Sequence, residues 1–215
     1  MMTRPLASVA ALALLGAATA SQPWHASGPP PAHTGGFGEP TCAICHEGDD
    51  VNAFGGTVTI LDLPDAYEPG GVYVLTVALE APETVVAGFQ LSARISSGLL
   101  RGEPAGVVRG VDSRVTVTEG DRGQPYAHHT PAGTKVATSE GSSWLVEWTA
   151  PLEGESVVFS VAANSANGDN SPLLDQVYVA EALVGRKPFD PTTPSIRWGG
   201  EGTSSRDASM PWSRR

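Results

Sequence analysis

Cysteine is scarce in this 215-residue chain: there are two, and both lie in the stretch Thr41-Cys42-Ala43-Ile44-Cys45-His46. A bridge between residues so close together closes a tiny loop and removes little chain entropy, so stapling of distant segments is excluded. Methionine is scarce as well; after the two opening residues the next is Met210. Basic residues number 13 against 23 acidic ones, a formal net charge of −10. That balance argues against nucleic acid and anionic lipid as partners, both of which call for concentrated Lys and Arg. It suits a basic protein partner instead. Beyond residue 20 there is no apolar run long enough to cross a bilayer, and no stretch of useful length repeats with helical period. No serine stands in a Gly-x-Ser-x-Gly setting, and the carboxylates show no pairing, so the sequence offers no hydrolase constellation.

What is present begins with an export signature. Arg4 is followed by the apolar run Leu6 to Leu15 and then by Ala17-Ala18-Thr19-Ala20. A basic end, a short hydrophobic core and an Ala-x-Ala pattern predict a secretory signal over residues 1–20, cleaved after Ala20. The expected location is periplasmic or extracellular. Cleavage removes one basic residue, Arg4, and no acidic one, which moves the net charge to −11. Residues 21–40 hold Gly28-Pro29-Pro30-Pro31 and Gly35-Gly36-Phe37-Gly38, a polar lead-in expected to be extended or poorly ordered. Residues 186–215 are rich in proline, glycine, serine and basic residues, and are expected to form a disordered tail carrying Trp198 and Trp212.

Between these ends, over residues 41–185, short β-branched runs alternate with turn residues. Thr57 to Ile60, Val72 to Leu79, Gly88 to Ile95, Ser143 to Thr149, Val157 to Ala162 and Gln176 to Ala180 are expected strands, with weaker ones at Val107-Val108 and Val115 to Val117. Phe89, Leu91, Ala93 and Ile95 fall on one face of the third run, and Trp144 and Trp148 share a face of a later one, where core packing is expected. Tyr67-Glu68-Pro69-Gly70-Gly71 reads as a turn. About seven short strands with Gly- and Pro-rich connections define an all-β sandwich.

The Cys-x-x-Cys-His run is the attachment signature of a c-type haem. Two thiols at that spacing reach the two vinyl groups on one porphyrin edge, and the adjoining imidazole becomes the proximal iron ligand. Cys42 and Cys45 would form the thioethers and His46 the axial bond. The same residues admit other uses. In an oxidising compartment the two cysteines could form a local disulfide on a secreted interaction module. A redox dithiol would need a βαβ setting that the chain lacks, and zinc would need adjacent Cys45 and His46 to bind one ion. The run Asn164 to Asn170, with Asp169 and the later Asp175, could supply oxygens to calcium, although Asn and Gly in such a run ordinarily build a turn.

Several segments taken in order carry a resemblance. Tyr67-Glu68-Pro69-Gly70, Gly88-Phe89-Gln90-Leu91, His129-Thr130, Trp144 with Trp148-Thr149-Ala150-Pro151, and Ala163 to Asp169 together resemble the bacterial form of the Reeler-like domain over roughly residues 35–182. In that form a Cys-x-x-Cys-His segment precedes the first strand. The resemblance implies an immunoglobulin-like β-sandwich on an exported protein, and it implies a histidine at the position of His129. If haem is bound, either the iron stays open or its second axial ligand comes from His128, His129, His33 or His25, since Met210 stands in the tail. Neighbours in an extended segment point to opposite faces, so only one of His128 and His129 can face the haem. The resemblance favours His129, with His128 next. The function expected is electron transfer or redox sensing with a redox partner protein; catalysis is expected only if the haem iron keeps an open position.

Overall fold

The computed structural model describes residues 25–53, 55–136 and 138–188. The predicted signal at residues 1–20 and most of the predicted tail, with Trp198, Met210 and Trp212, lie outside the described residues.

Ten strands form two sheets: β1 (Thr57–Leu61), β2 (Ala66–Tyr67), β3 (Val72–Glu80), β4 (Val86–Ile95), β5 (Val107–Gly110), β6 (Val115–Glu119), β7 (Pro125–His129), β8 (Gly141–Thr149), β9 (Ser156–Ala166) and β10 (Gln176–Arg186). One sheet runs β1-β3-β8-β5 and the other β2-β10-β9-β4-β7-β6. Every pairing is antiparallel except that of β2 with β10. The all-β sandwich expected from the strand spacing is the observed architecture. Helix among the described residues is confined to short 3-10 turns at Gly36–Gly38, Cys42–Ile44 and Asp121–Gly123.

The core lies between the sheets and follows from period-two alternation. Val58 and Ile60 of β1, and Leu75, Val77 and Leu79 of β3, point inward while their neighbours are more exposed. Phe89, Leu91, Ala93 and Ile95 of β4 are buried together, as the sequence pattern predicts. Trp144 and Trp148 lie in the same core. Trp144 stacks on Phe89 at a centroid separation of 4.6 Å, and Trp148 meets Phe159 edge-on at 4.8 Å. Both indole N–H groups find carbonyls: Trp144 donates to Gly133 and Trp148 to Ala105, each at 2.8 Å. Burial of two large aromatic side chains therefore leaves no indole donor unsatisfied.

Two elements escape the sequence pattern. Tyr67, expected in a turn, is fully buried; it belongs to β2 and its hydroxyl donates to the Gly154 carbonyl at 2.8 Å. β7 opens on a proline and ends in two histidines, which hides it from a search for β-branched runs.

β4 and β9 are buried on both faces, which a two-sheet sandwich alone does not explain. The second cover is the Pro/Gly-rich lead-in. Instead of trailing into solvent, its described part lies across the outer face of the larger sheet. Gly36 sits so close to Ser160 that a β-carbon there would fall 2.1 Å from the serine hydroxyl. Glu39 accepts from Arg94 of β4 and from the Tyr126 hydroxyl of β7. Arg94 also lies over the Phe37 ring. The lead-in is thus a strap, and it carries the Cys42–His46 segment to one end of the sheet.

Candidate functional site

The strap, the start of β4, the end of β9 and the β9–β10 loop enclose a largely apolar cleft of about 960 Å³, its open mouth included. The space within its walls is about 170 Å³, below the ~300–1,000 Å³ of ordinary small-molecule pockets, so most of the cleft is open mouth. Cys42, Cys45 and His46 line it together with Phe89, His129 and Asp175. Exposed Ile44 and Val86 also belong to its walls. The sequence motif therefore lines a cavity while Cys45 stays exposed to solvent.

Local structure explains how the motif is held. Thr41 caps the 3-10 turn by accepting from the Ala43 N–H at 3.2 Å, and the N–H groups of Cys45 and His46 donate back to the Cys42 carbonyl. The next residues are sewn to the β9–β10 loop: the Glu47 N–H donates to Pro172, and the Leu174 N–H donates to Glu47. Gly48 permits the approach, since a β-carbon there would lie 1.7 Å from the Asp175 carbonyl oxygen.

His46 Nδ1 donates to Asp175 Oδ2 at 2.6 Å. Asp175 is buried, and its Oδ1 has no hydrogen-bond partner among the described residues. The Asn164 side-chain amide lies 3.1 Å from the same imidazole nitrogen. A carboxylate only accepts, so the neutral ring carries its proton on Nδ1 and its lone pair on Nε2. With its Nδ1–H held by a carboxylate and no hydrogen-bond partner for Nε2 among the described residues, His46 has the hydrogen-bonding pattern of a metal-ligating imidazole.

The thiols are free; Cys45 is exposed and Cys42 half-buried. Desolvation pushes the Cys42 thiol up to about 12, with the neighbouring Cys45 adding to the rise and a backbone hydrogen bond opposing it. Cys42 is therefore a neutral thiol at physiological pH, the reverse of the activated thiolate that a redox dithiol uses. Among the described residues, no three His, Cys, Asp or Glu side chains converge on a point where they could hold one metal ion.

The other histidines separate clearly. His129 lines the cleft, whereas His128 is not among its lining residues. The two rings lie 6.4 Å apart at 86°. Both nitrogens of His129 are engaged: Nδ1 accepts from the Phe89 N–H at 3.0 Å, and Nε2 donates to the His25 carbonyl at 3.0 Å. Burial above all, and then the nearby His128 and His46, hold its pKa below the ordinary value, against the opposing pull of the His25 and Phe89 carbonyls. His128 donates from Nδ1 to the His129 carbonyl at 2.9 Å, and its Nε2 lies 2.8 Å from the Thr118 hydroxyl. Both residues thus serve as hydrogen-bonding members of the sheet and strap. His25 and His33 of the strap line the cleft as well, a placement that no local sequence signal indicates.

The Asn/Asp-rich loop after β9 is a set of side-chain turns. Asn167 Oδ1 accepts from the Asp169 N–H, and the Asp169 carboxylate accepts from the Ser171 N–H and the Asn167 amide. Its oxygens are used within the loop, and Asp175 is directed to His46.

The chain is therefore a two-sheet β-sandwich with a strap-built cleft at one end of its larger sheet. No protein-family description matches the chain, and neither does any curated protein. Solved structures similar to it include the Reelin-N domain of F-spondin, at 16% identity over 68% of this chain and 96% of that one, with a TM-score of 0.45. The human F-spondin reeler domain is 18% identical over 66% of this chain and 92% of that one, with a TM-score of 0.41. A cohesin module from a Clostridium perfringens family 33 glycoside hydrolase is 14% identical over 61% and 96%, with a TM-score of 0.43.

Proposed function

We propose that this is an exported c-type haem protein serving one-electron transfer or redox sensing outside the cytoplasm. One haem would be joined through thioethers at Cys42 and Cys45, with His46 as its proximal ligand. The observation that carries the reading is the 2.6 Å hydrogen bond from His46 Nδ1 to buried Asp175, on a side chain that lines a largely apolar cleft and whose Nε2 has no hydrogen-bond partner among the described residues. Bound there, haem supplies a one-electron couple whose potential follows from its axial ligands, its burial and the hydrogen bonds around them. Asp175 would orient His46 and raise its basicity. The apolar walls would keep water from the porphyrin, and the acidic surface suits a basic redox partner protein.

The test is export from a host with cytochrome c maturation machinery, followed by acid–acetone extraction. Colour should stay with the polypeptide, and the double variant Cys42→Ala/Cys45→Ala should release it. A colourless protein bridged between Cys42 and Cys45 would replace this reading with that of a secreted interaction module.

A further inference from the structure

The iron of the proposed haem has a sixth position, and four histidines besides His46 lie among the described residues. Three of them are spent or unsupported. His128 is not among the residues lining the cleft, and its two ring nitrogens are occupied by the His129 carbonyl and the Thr118 hydroxyl. His129 lines the cleft, but both its ring nitrogens are engaged: ligation through Nδ1 would orphan the Phe89 N–H, and ligation through Nε2 would break its bond to the His25 carbonyl, which the Gly28 N–H would still satisfy. His25 is exposed, and no hydrogen bond among the described residues orients its ring.

His33 differs on each count. It lines the same cleft as His46. Its Nδ1 lies 3.1 Å from the Pro30 carbonyl and 3.0 Å from that of Pro31, both acceptors only. The neutral ring therefore carries its proton on Nδ1 and its lone pair on Nε2. The turn that bears it is gripped on two sides by fully buried Gln90 of β4. The His33 N–H donates to Gln90 Oε1 at 2.6 Å, and Gln90 Nε2 donates to the Pro30 carbonyl at 2.9 Å. A ligating imidazole is characteristically fixed by giving its other N–H to a carboxylate or a backbone carbonyl. In this cleft His46 does the first and His33 the second.

We infer that His33 is the second axial ligand, an inference that rests on the haem reading of the same cleft. The strap then supplies every bond to the cofactor, through His33 on one segment and Cys42, Cys45 and His46 on the next. Gln90 acts as a positioning residue for His33. With both axial positions taken by imidazole, the site is closed to small molecules, which selects electron transfer over ligand sensing.

The experiment is visible and electron paramagnetic resonance spectroscopy of the exported, matured full chain and of its His33→Ala, His33→Met, His25→Ala and His129→Gln variants. The wild type should be six-coordinate and low-spin and should not bind added imidazole. His33→Ala should become high-spin and return to low-spin when imidazole is added. His33→Met guards against a folding defect: it should stay six-coordinate with the absorption of a thioether–iron bond. His25→Ala and His129→Gln should keep the wild-type spectrum. A low-spin His33→Ala spectrum unchanged from wild type, or a five-coordinate wild type, overturns the assignment of His33 and leaves covalent haem standing. A matured wild type with no haem attached overturns both.

Discussion

His46 and Asp175 are separated by 129 residues in sequence and joined by a 2.6 Å hydrogen bond. The contact ties the strap to the mouth of β10 and aligns an imidazole with a buried carboxylate. Its effect on the proposed cofactor has a definite sign. A carboxylate acceptor makes the imidazole a stronger donor and favours the oxidised iron. Asp175→Asn should therefore raise the midpoint potential. A tenfold change in relative preference for the two oxidation states corresponds to about 59 mV for one electron. Potentiometric titration of wild type and variant measures it, and equal potentials would remove Asp175 from this role.

The seat of Asp175 is tested through Gly48. A methyl group at that position would lie 1.7 Å from the Asp175 carbonyl oxygen, a backbone atom that cannot swing aside. Gly48→Ala should destabilise the domain by ~1–3 kcal/mol, the usual cost of overpacking. Urea unfolding of the haem-free chain reads this directly, and an unchanged midpoint would mean that the loop yields without cost.

Trp148 should dominate the core. Trp148→Ala is expected to cost ~3–5 kcal/mol. Trp148→Phe keeps most of the apolar contact and loses the donor to Ala105, so about 1–3 kcal/mol is expected from the unsatisfied carbonyl. Equilibrium denaturation should rank the variants in that order. Equal losses would mean that the hydrogen bond outweighs the packing.

His129 predicts an acid-side loss of stability. Its pKa is lowered in the folded chain, chiefly by burial, so the unfolded chain binds its proton more readily. The stabilisation is complete above the ordinary value of 6.5 and is lost as pH falls from there through the folded-state pKa. Urea midpoints of the Cys42→Ala/Cys45→Ala chain should fall over that window, and adding His129→Gln should flatten the fall. A slope equal with and without His129 would assign it to other groups.

The strands were legible because alternation is a local property: Leu75, Val77 and Leu79 announce their face within a few residues. The run at Cys42–His46 was legible for a similar reason, since both cysteines and the histidine stand within five consecutive residues. Tyr67 was hidden by the brevity of β2, and β7 by its proline and histidines. The strap was the larger omission. Its prolines and glycines resemble a linker, and what holds it are contacts to distant residues, such as Glu39 with Arg94 and His33 with Gln90. Asp175 was visible only as a possible member of an acidic loop; that its partner is His46 is a matter of tertiary structure.

The central claim is covalent haem at Cys42 and Cys45, and the most direct measurement is an intact mass paired with a reduced-minus-oxidised spectrum of protein exported from a maturation-competent host. The account predicts a polypeptide heavier by one haem, with a sharp α-band on reduction. A protein of polypeptide mass alone, without visible absorption, would contradict it.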